Sequence, residues 1–177
     1  MVYSESMDEM VDIIDAQGRK IRTTSKQSAH QTGELHGCVI GCVTDAQGNI
    51  VVIRQASDKQ DAGQWVNPVG GHMRSGESLE AALRREVEEE IGWTDFTFSL
   101  LGNMHFERTV LGGHENHMFY VFHTQSAQPI LLGGEAIEVR AMSRVAHAIA
   151  IKDEPHLFGR PHHLIFNTFP GHFLAAE

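Results

Sequence analysis

Basic residues are scarce in this chain. Lys and Arg number 14 against 23 Asp and Glu, which leaves a formal charge of −9 at pH 7 over 177 residues. That balance excludes a general nucleic-acid binder or a protein drawn to anionic membranes, since both need cationic surface against phosphates. Small phosphorylated ligands stay open, because a metal ion can screen their charge locally. Long apolar runs are also missing. Nothing approaches the ~20 residues that span a bilayer, and the opening MVYSESMDEM is acidic and polar, unlike a secretory leader. Cysteine is limited to Cys38 and Cys42 in GCVIGCV. On a strand these two share one face as buried thiols, too far apart for a bridge. The expectation is one soluble domain in a reducing cytoplasm.

What is present has an α/β or α+β pattern with a mixed sheet. VDIIDAQGRKI and VTDAQGNIVVIRQ each place DAQG between apolar, β-branched stretches, and Gly18 and Gly48 suit tight hairpin turns. SKQSAHQTGELH connects them with a short helical turn. A loop rich in Gly and Pro runs into SLEAALRREVEEEIG, a helix with Ser78 as N-cap and Gly92 at its C-terminus. Two strands follow, FSLLGNMHFERTV and HENHMFYVFHT, then the strand IEVRAM, a short helix in MSRVAHAIA and a last helix that starts at Pro161.

The run RREVEEEIG, residues 84–92, would ordinarily be the solvated side of a helix. At about 100° per residue, however, Leu79, Ala82, Leu83, Val87 and Ile91 form one apolar arc, with Ala81, Arg84 and Glu88 opposite. Glu86, Glu89 and Glu90 fall inside the apolar arc. Carboxylates crowded there repel unless a cation joins them. Arg85 serves one at the edge; a hard divalent ion, Mg²⁺ or Mn²⁺, answers for the cluster.

GHMRSGESLEAALRREVEEEIGW, residues 71–93, resembles the signature of the Nudix hydrolases, with Gly71, Glu77, Arg85, Glu86, Val87, Glu89, Glu90, Gly92 and Trp93 at its fixed positions. The resemblance covers roughly residues 36–170 and implies an α/β/α sandwich that splits a diphosphate linkage with the help of divalent metal. Carried over, Glu86 and Glu90 are metal ligands, Glu89 is a ligand or base, the Gly71 carbonyl is a further ligand, and Glu77 pairs with Arg85. The implied division is an N-terminal hairpin extension over 1–30 and a Nudix domain over 31–177. Glu135 sits where some of these hydrolases place a catalytic base.

The segments AHQTGELH and W-x-N-x-V-x-GH look like the branch that contains isopentenyl-diphosphate isomerase. Two departures stand out. Gly70 occupies the position of that enzyme's catalytic Cys, and His117 that of its catalytic Glu, so isomerisation lacks an evident acid–base pair. The isomerase's metal site would map to His30, His36, His72, Glu115 and His117, a donor set that suits Zn²⁺ or Mn²⁺. Arg54 and Lys59 match positions that contact diphosphate in that branch, and His162 and His163 are expected at the surface. The reading is therefore a metal-dependent hydrolase of a small diphosphate-containing substrate, with an isomerase or a non-catalytic binding module as alternatives. No Pro follows the signature where enzymes specific for ADP-ribose carry one, and no Tyr where dinucleoside polyphosphates are the substrate. The hairpin ahead of the core could pack against a second copy in a homodimer.

Overall fold

The computed structural model describes residues 9–110, 112–134 and 136–174. Its centre is β3 (His36–Thr44), whose nine residues are all buried. On one side β3 pairs antiparallel with β6 (Val69–His72), placing Cys38 opposite His72; on the other it runs parallel to β8 (Gly113–Gln125), placing His36 opposite His117. β8 continues into a long antiparallel pair with β7 (Thr97–Val110). β4 (Ile50–Gln55) carries β5 (Trp65–Val66) and β9 (Ala136–Met142) at its flanks. The N-terminal hairpin, β1 (Met10–Ile14) and β2 (Lys20–Ser25), joins the same nine-stranded sheet through Ile13 opposite His36.

Alternation along β3 sends its side chains into two apolar layers. Val39 and Val43 pack with Ala82, Leu83, Val87 and Ile91 of α2 (Leu79–Ile91). Cys38, Ile40 and Cys42 pack on the opposite face with Ile151 of α3 (Arg144–Asp153), Ile165 of α4 (Arg160–Thr168) and Phe173 of α5 (Pro170–Phe173). The sheet is thus enclosed by helices on both faces, an α/β/α sandwich. Ser78 caps α2 by accepting from Ala81 N, and Gly92 closes it at φ 72°, a left-handed conformation that favours glycine. Both thiols are free and buried. No helix among the described residues is long and apolar enough to cross a membrane.

Two expectations need correction. His162 is 1% exposed: α4 turns His162 and Ile165 inward, and His147 of α3 meets the ring. The helix begun at Pro161 is also not the last, since α5 follows it. Glu135 lies outside the described residues.

Candidate active site

The carboxylate helix meets the end of β6 at Gly71. A β-carbon at position 71 would occupy the space of the Glu86 carboxylate, so the missing side chain is what lets Glu86 lie against the strand. Arg85 organises the surrounding acids. Its Nε and Nη2 donate to the two oxygens of Glu77, each at 2.9 Å, and Nη2 also donates to the His72 carbonyl at 2.9 Å. Nη1 donates to Glu86 and, at 3.4 Å, to Glu89. Burial raises Glu86 above the usual carboxylate range even though Arg85 opposes the shift.

Glu77 and Arg85 pair as expected and tie the loop to the helix. Glu89 departs from the helical-wheel reading: its side chain is 51% exposed, reached by Arg85 and by Arg74 at 3.6 Å. Ile91 further along the helix is fully buried, so the apolar layer reaches this turn but does not extend sideways over Glu89. Glu88 is exposed.

The hairpin braces the same loop. Asp12 accepts from Ser75 Oγ at 2.7 Å and Gly76 N at 3.1 Å, and Arg74 donates to Glu9 at 2.9 Å.

Four histidines converge beside the carboxylates. His36 and His117 are register partners on adjacent strands, His72 stands at the end of β6, and His30 comes from α1 (Lys26–Thr32). One ring nitrogen of each lies within 4.8 Å of the others. His36 Nδ1 donates to the Glu34 carbonyl at 2.7 Å, which leaves Nε2 as its bare lone pair. The Nε2 atoms of His36 and His117 are buried with no partner among the described residues. Burial, reinforced by the neighbouring imidazoles, pushes His117 down to about 2 and His72 well below the ordinary range. Convergent imidazoles, two with unpartnered Nε2 atoms and two whose Nε2 atoms meet at 3.0 Å, fit Zn²⁺ or Mn²⁺.

Glu115 lies on the same strand face as His117, but its carboxylate is turned to Arg108, which donates to it at 2.6 Å and to both oxygens of Asp61 at 2.8 and 3.0 Å. Sequence reasoning gave Arg108 no role, since an Arg bridging two distant acids leaves no local pattern.

A cavity of about 190 Å³ has His30, His72, His117, Gly71, Glu90 and Glu115 in its wall, while Glu86 and His36 lie behind that wall. Arg54 and Lys59 do not line it. Arg54 donates instead to the Gly63 carbonyl at 2.9 Å and lies 3.6 Å from Glu138.

A family model described as the NUDIX domain matches residues 34–158. The chain belongs to the Nudix family. Among curated Nudix-like relatives, it is 39% identical over 89 residues to an isopentenyl-diphosphate Delta-isomerase of Serratia proteamaculans (strain 568), with 50% of each chain covered. It is 34% identical over 100 residues to an uncharacterized Nudix hydrolase of Yersinia pestis, covering 56% of this chain and 55% of that one. The match thus spans about half the length of these relatives. Solved Nudix-type structures share the fold: a Deinococcus radiodurans protein has a TM-score of 0.69 at 18% identity, over 90% of this chain and 98% of that chain. The MutT protein from Methanosarcina mazei Go1 has 0.63 at 24%, over 77% and 94%.

Proposed function

We propose that this Nudix protein is a divalent-metal-dependent hydrolase that cleaves a diphosphate linkage in a small, nucleoside-diphosphate-like substrate. The observation that carries the reading is the packing of Glu86 into the space left by Gly71, locked by the Glu77–Arg85 clamp, with Gly71 and Glu90 both in the cavity wall. Glu86, Glu90 and the Gly71 carbonyl would hold Mg²⁺ or Mn²⁺, and the four histidines a Zn²⁺ or Mn²⁺ ion. A metal bound by these groups neutralises phosphate oxygens and lowers the pKa of an attacking water.

The chain's own groups do the positioning. Burial raises the Glu86 carboxyl and Arg85 opposes that shift while orienting it, and Glu77 keeps Arg85 from swinging out. The hairpin holds the loop through Asp12 and Glu9. Glu89, exposed and reached by two arginines, is the candidate base.

A second reading, isomerisation of a prenyl diphosphate, is favoured by the names of the relatives. Gly70 and a neutral His117 stand against it, since neither supplies the thiol or the carboxylate that moves the proton.

The test is a panel of nucleotide sugars, ADP-ribose, NADH, coenzyme A and isopentenyl diphosphate with Mg²⁺, scored for cleavage and for isomerised product, on wild type and Glu90→Gln. Cleavage lost in the variant supports the hydrolase. Isomerised product without cleavage moves the protein to the second reading. A Mg²⁺-raised melting temperature with no turnover would mark a binding module.

A further inference from the structure

Apart from the candidate metal ligands, a hydrogen-bonded chain of three side chains runs from the apolar layer beneath α3 and α4 to the cavity wall. His147 and His162 are 0% and 1% exposed. Their Nε2 atoms lie 2.8 Å apart, and His162 Nδ1 lies 2.6 Å from Asn67 Oδ1. Asn67 belongs to the cavity wall. Phe158 and Phe173 pack against both rings, and burial keeps both imidazoles neutral, His147 down to about 4 and His162 well below its usual value.

A neutral imidazole has one donor and one acceptor nitrogen, so the chain has two polarities. In the first, His147 Nε2 donates to His162 Nε2, His162 Nδ1 donates to Asn67 Oδ1, and the chain ends on a bare lone pair at His147 Nδ1. In the second, every bond reverses, Asn67 gives its nitrogen to His162, and the chain ends on a buried N–H. His147 Nδ1 has no partner among the described residues. His162 Nδ1 faces the Asn67 oxygen, which can only accept, so the arrangement is the first polarity.

That polarity decides what the ligand meets. With Oδ1 held by His162, Asn67 is left with Nδ2 for the cavity, and Nδ2 makes no hydrogen bond to any described residue. Elsewhere the wall is acidic, with Asp61, Glu90 and Glu115, and the Arg108 charge is already held between Asp61 and Glu115. A neutral N–H donor is therefore one of the few protein groups here that an anionic oxygen can approach.

We infer that Asn67 is a specificity-determining residue that donates from Nδ2 to an oxygen of the bound diphosphate, and that His162 and His147 are positioning residues that fix which end of its amide faces the ligand. The inference rests on the diphosphate reading above. It makes the site select for an acceptor oxygen at this point and reject a donor hydroxyl or amine.

Long-range ¹H–¹⁵N spectra of the full chain test the polarity directly, with no ligand required. The expected result is His162 protonated at Nδ1 and His147 at Nε2; the reverse tautomers overturn the inference whatever the protein binds. Methylenediphosphonate with Mg²⁺ then tests the contact. In wild type the Asn67 side-chain amide resonances should shift on titration. Asn67→Asp keeps an oxygen for His162 but sets a carboxylate oxygen against the ligand, so affinity should fall about tenfold or more. Unchanged affinity in Asn67→Asp, or an unmoved amide in wild type that binds, overturns the contact. Failure of wild type to bind the diphosphonate at all sinks the diphosphate reading itself, and the inference with it.

Discussion

Gly71 and Glu86 share one volume: the Glu86 carboxylate fills the space where a side chain at position 71 would begin. Strand β6 and helix α2 can approach only because position 71 has no β-carbon. Gly71→Ala should therefore push the carboxylate out of place while leaving both apolar layers intact. The expected outcome is a loss of about a hundredfold in kcat, the scale of an ångström-sized misplacement at a reacting centre, with a small change in melting temperature. Wild-type turnover in this variant would show that the placement of Glu86 is not required.

The Glu77–Arg85 pair makes a separable claim on stability. Both side chains are 14% exposed, and the contact is bidentate. Burial alone would raise the Glu77 pKa; the Arg85 hydrogen bonds overcome it and hold the carboxyl below its usual range. Glu77→Gln removes the charge and one good acceptor, a cost of about 2 kcal/mol, or about 4–8 °C in melting temperature for a chain of this size. A thermal melt that moves by less than a degree would mean the clamp does not secure the loop.

Acid should weaken the fold before the carboxylates titrate. Burial lowers His36, His72, His117, His147 and His162 from the ordinary value of 6.5. The unfolded chain takes up protons near pH 6.5 while the folded chain does not, so this stability is present above 6.5 and is lost as pH falls. Each such group removes up to about 1.4 kcal/mol per pH unit below that point. In EDTA the melting temperature should drop steadily between about pH 7 and pH 5. A flat profile across that interval would contradict buried neutral imidazoles.

Cys38 tests the absence of thiol chemistry. It lies in the cavity wall, yet burial and then the nearby Glu115 and Glu86 push its thiol well above the usual value. Native protein should resist iodoacetamide, and Cys38→Ala should keep turnover within about threefold while losing roughly 1 kcal/mol of packing. Rapid alkylation with matching loss of activity would reopen the isomerase reading.

Much of this arrangement was legible along the chain because it is local. The DAQG turns, the Ser78 and Gly92 caps and the split between Glu86 and Glu88 follow from backbone conformation and helical period, which act within a few residues. The signature of residues 71–93 also named the Glu77–Arg85 pair. Glu89 was misplaced because a helical wheel supplies an angle and carries no information on where the covering layer stops. His162 was misplaced because a polar side chain can be buried only when a partner meets it, and that partner, His147, comes from another helix. Arg54 and Lys59 had been matched to positions around a ligand, but neither lines the cavity.

By itself, then, the sequence did not determine the short strands β5 and β6 or the helix α5, but it did determine the longer strands, the acidic helix and the histidines eligible to hold a metal. Tertiary structure decided which of them meet. Parallel pairing of β3 with β8 sets His36 beside His117, and antiparallel pairing with β6 brings His72 to the same end. It also turned Glu115 toward Arg108 and gave Asn67 a histidine behind it. Those choices depend on register and layer packing between segments far apart in the chain, where the energy lies in contacts that no local pattern records.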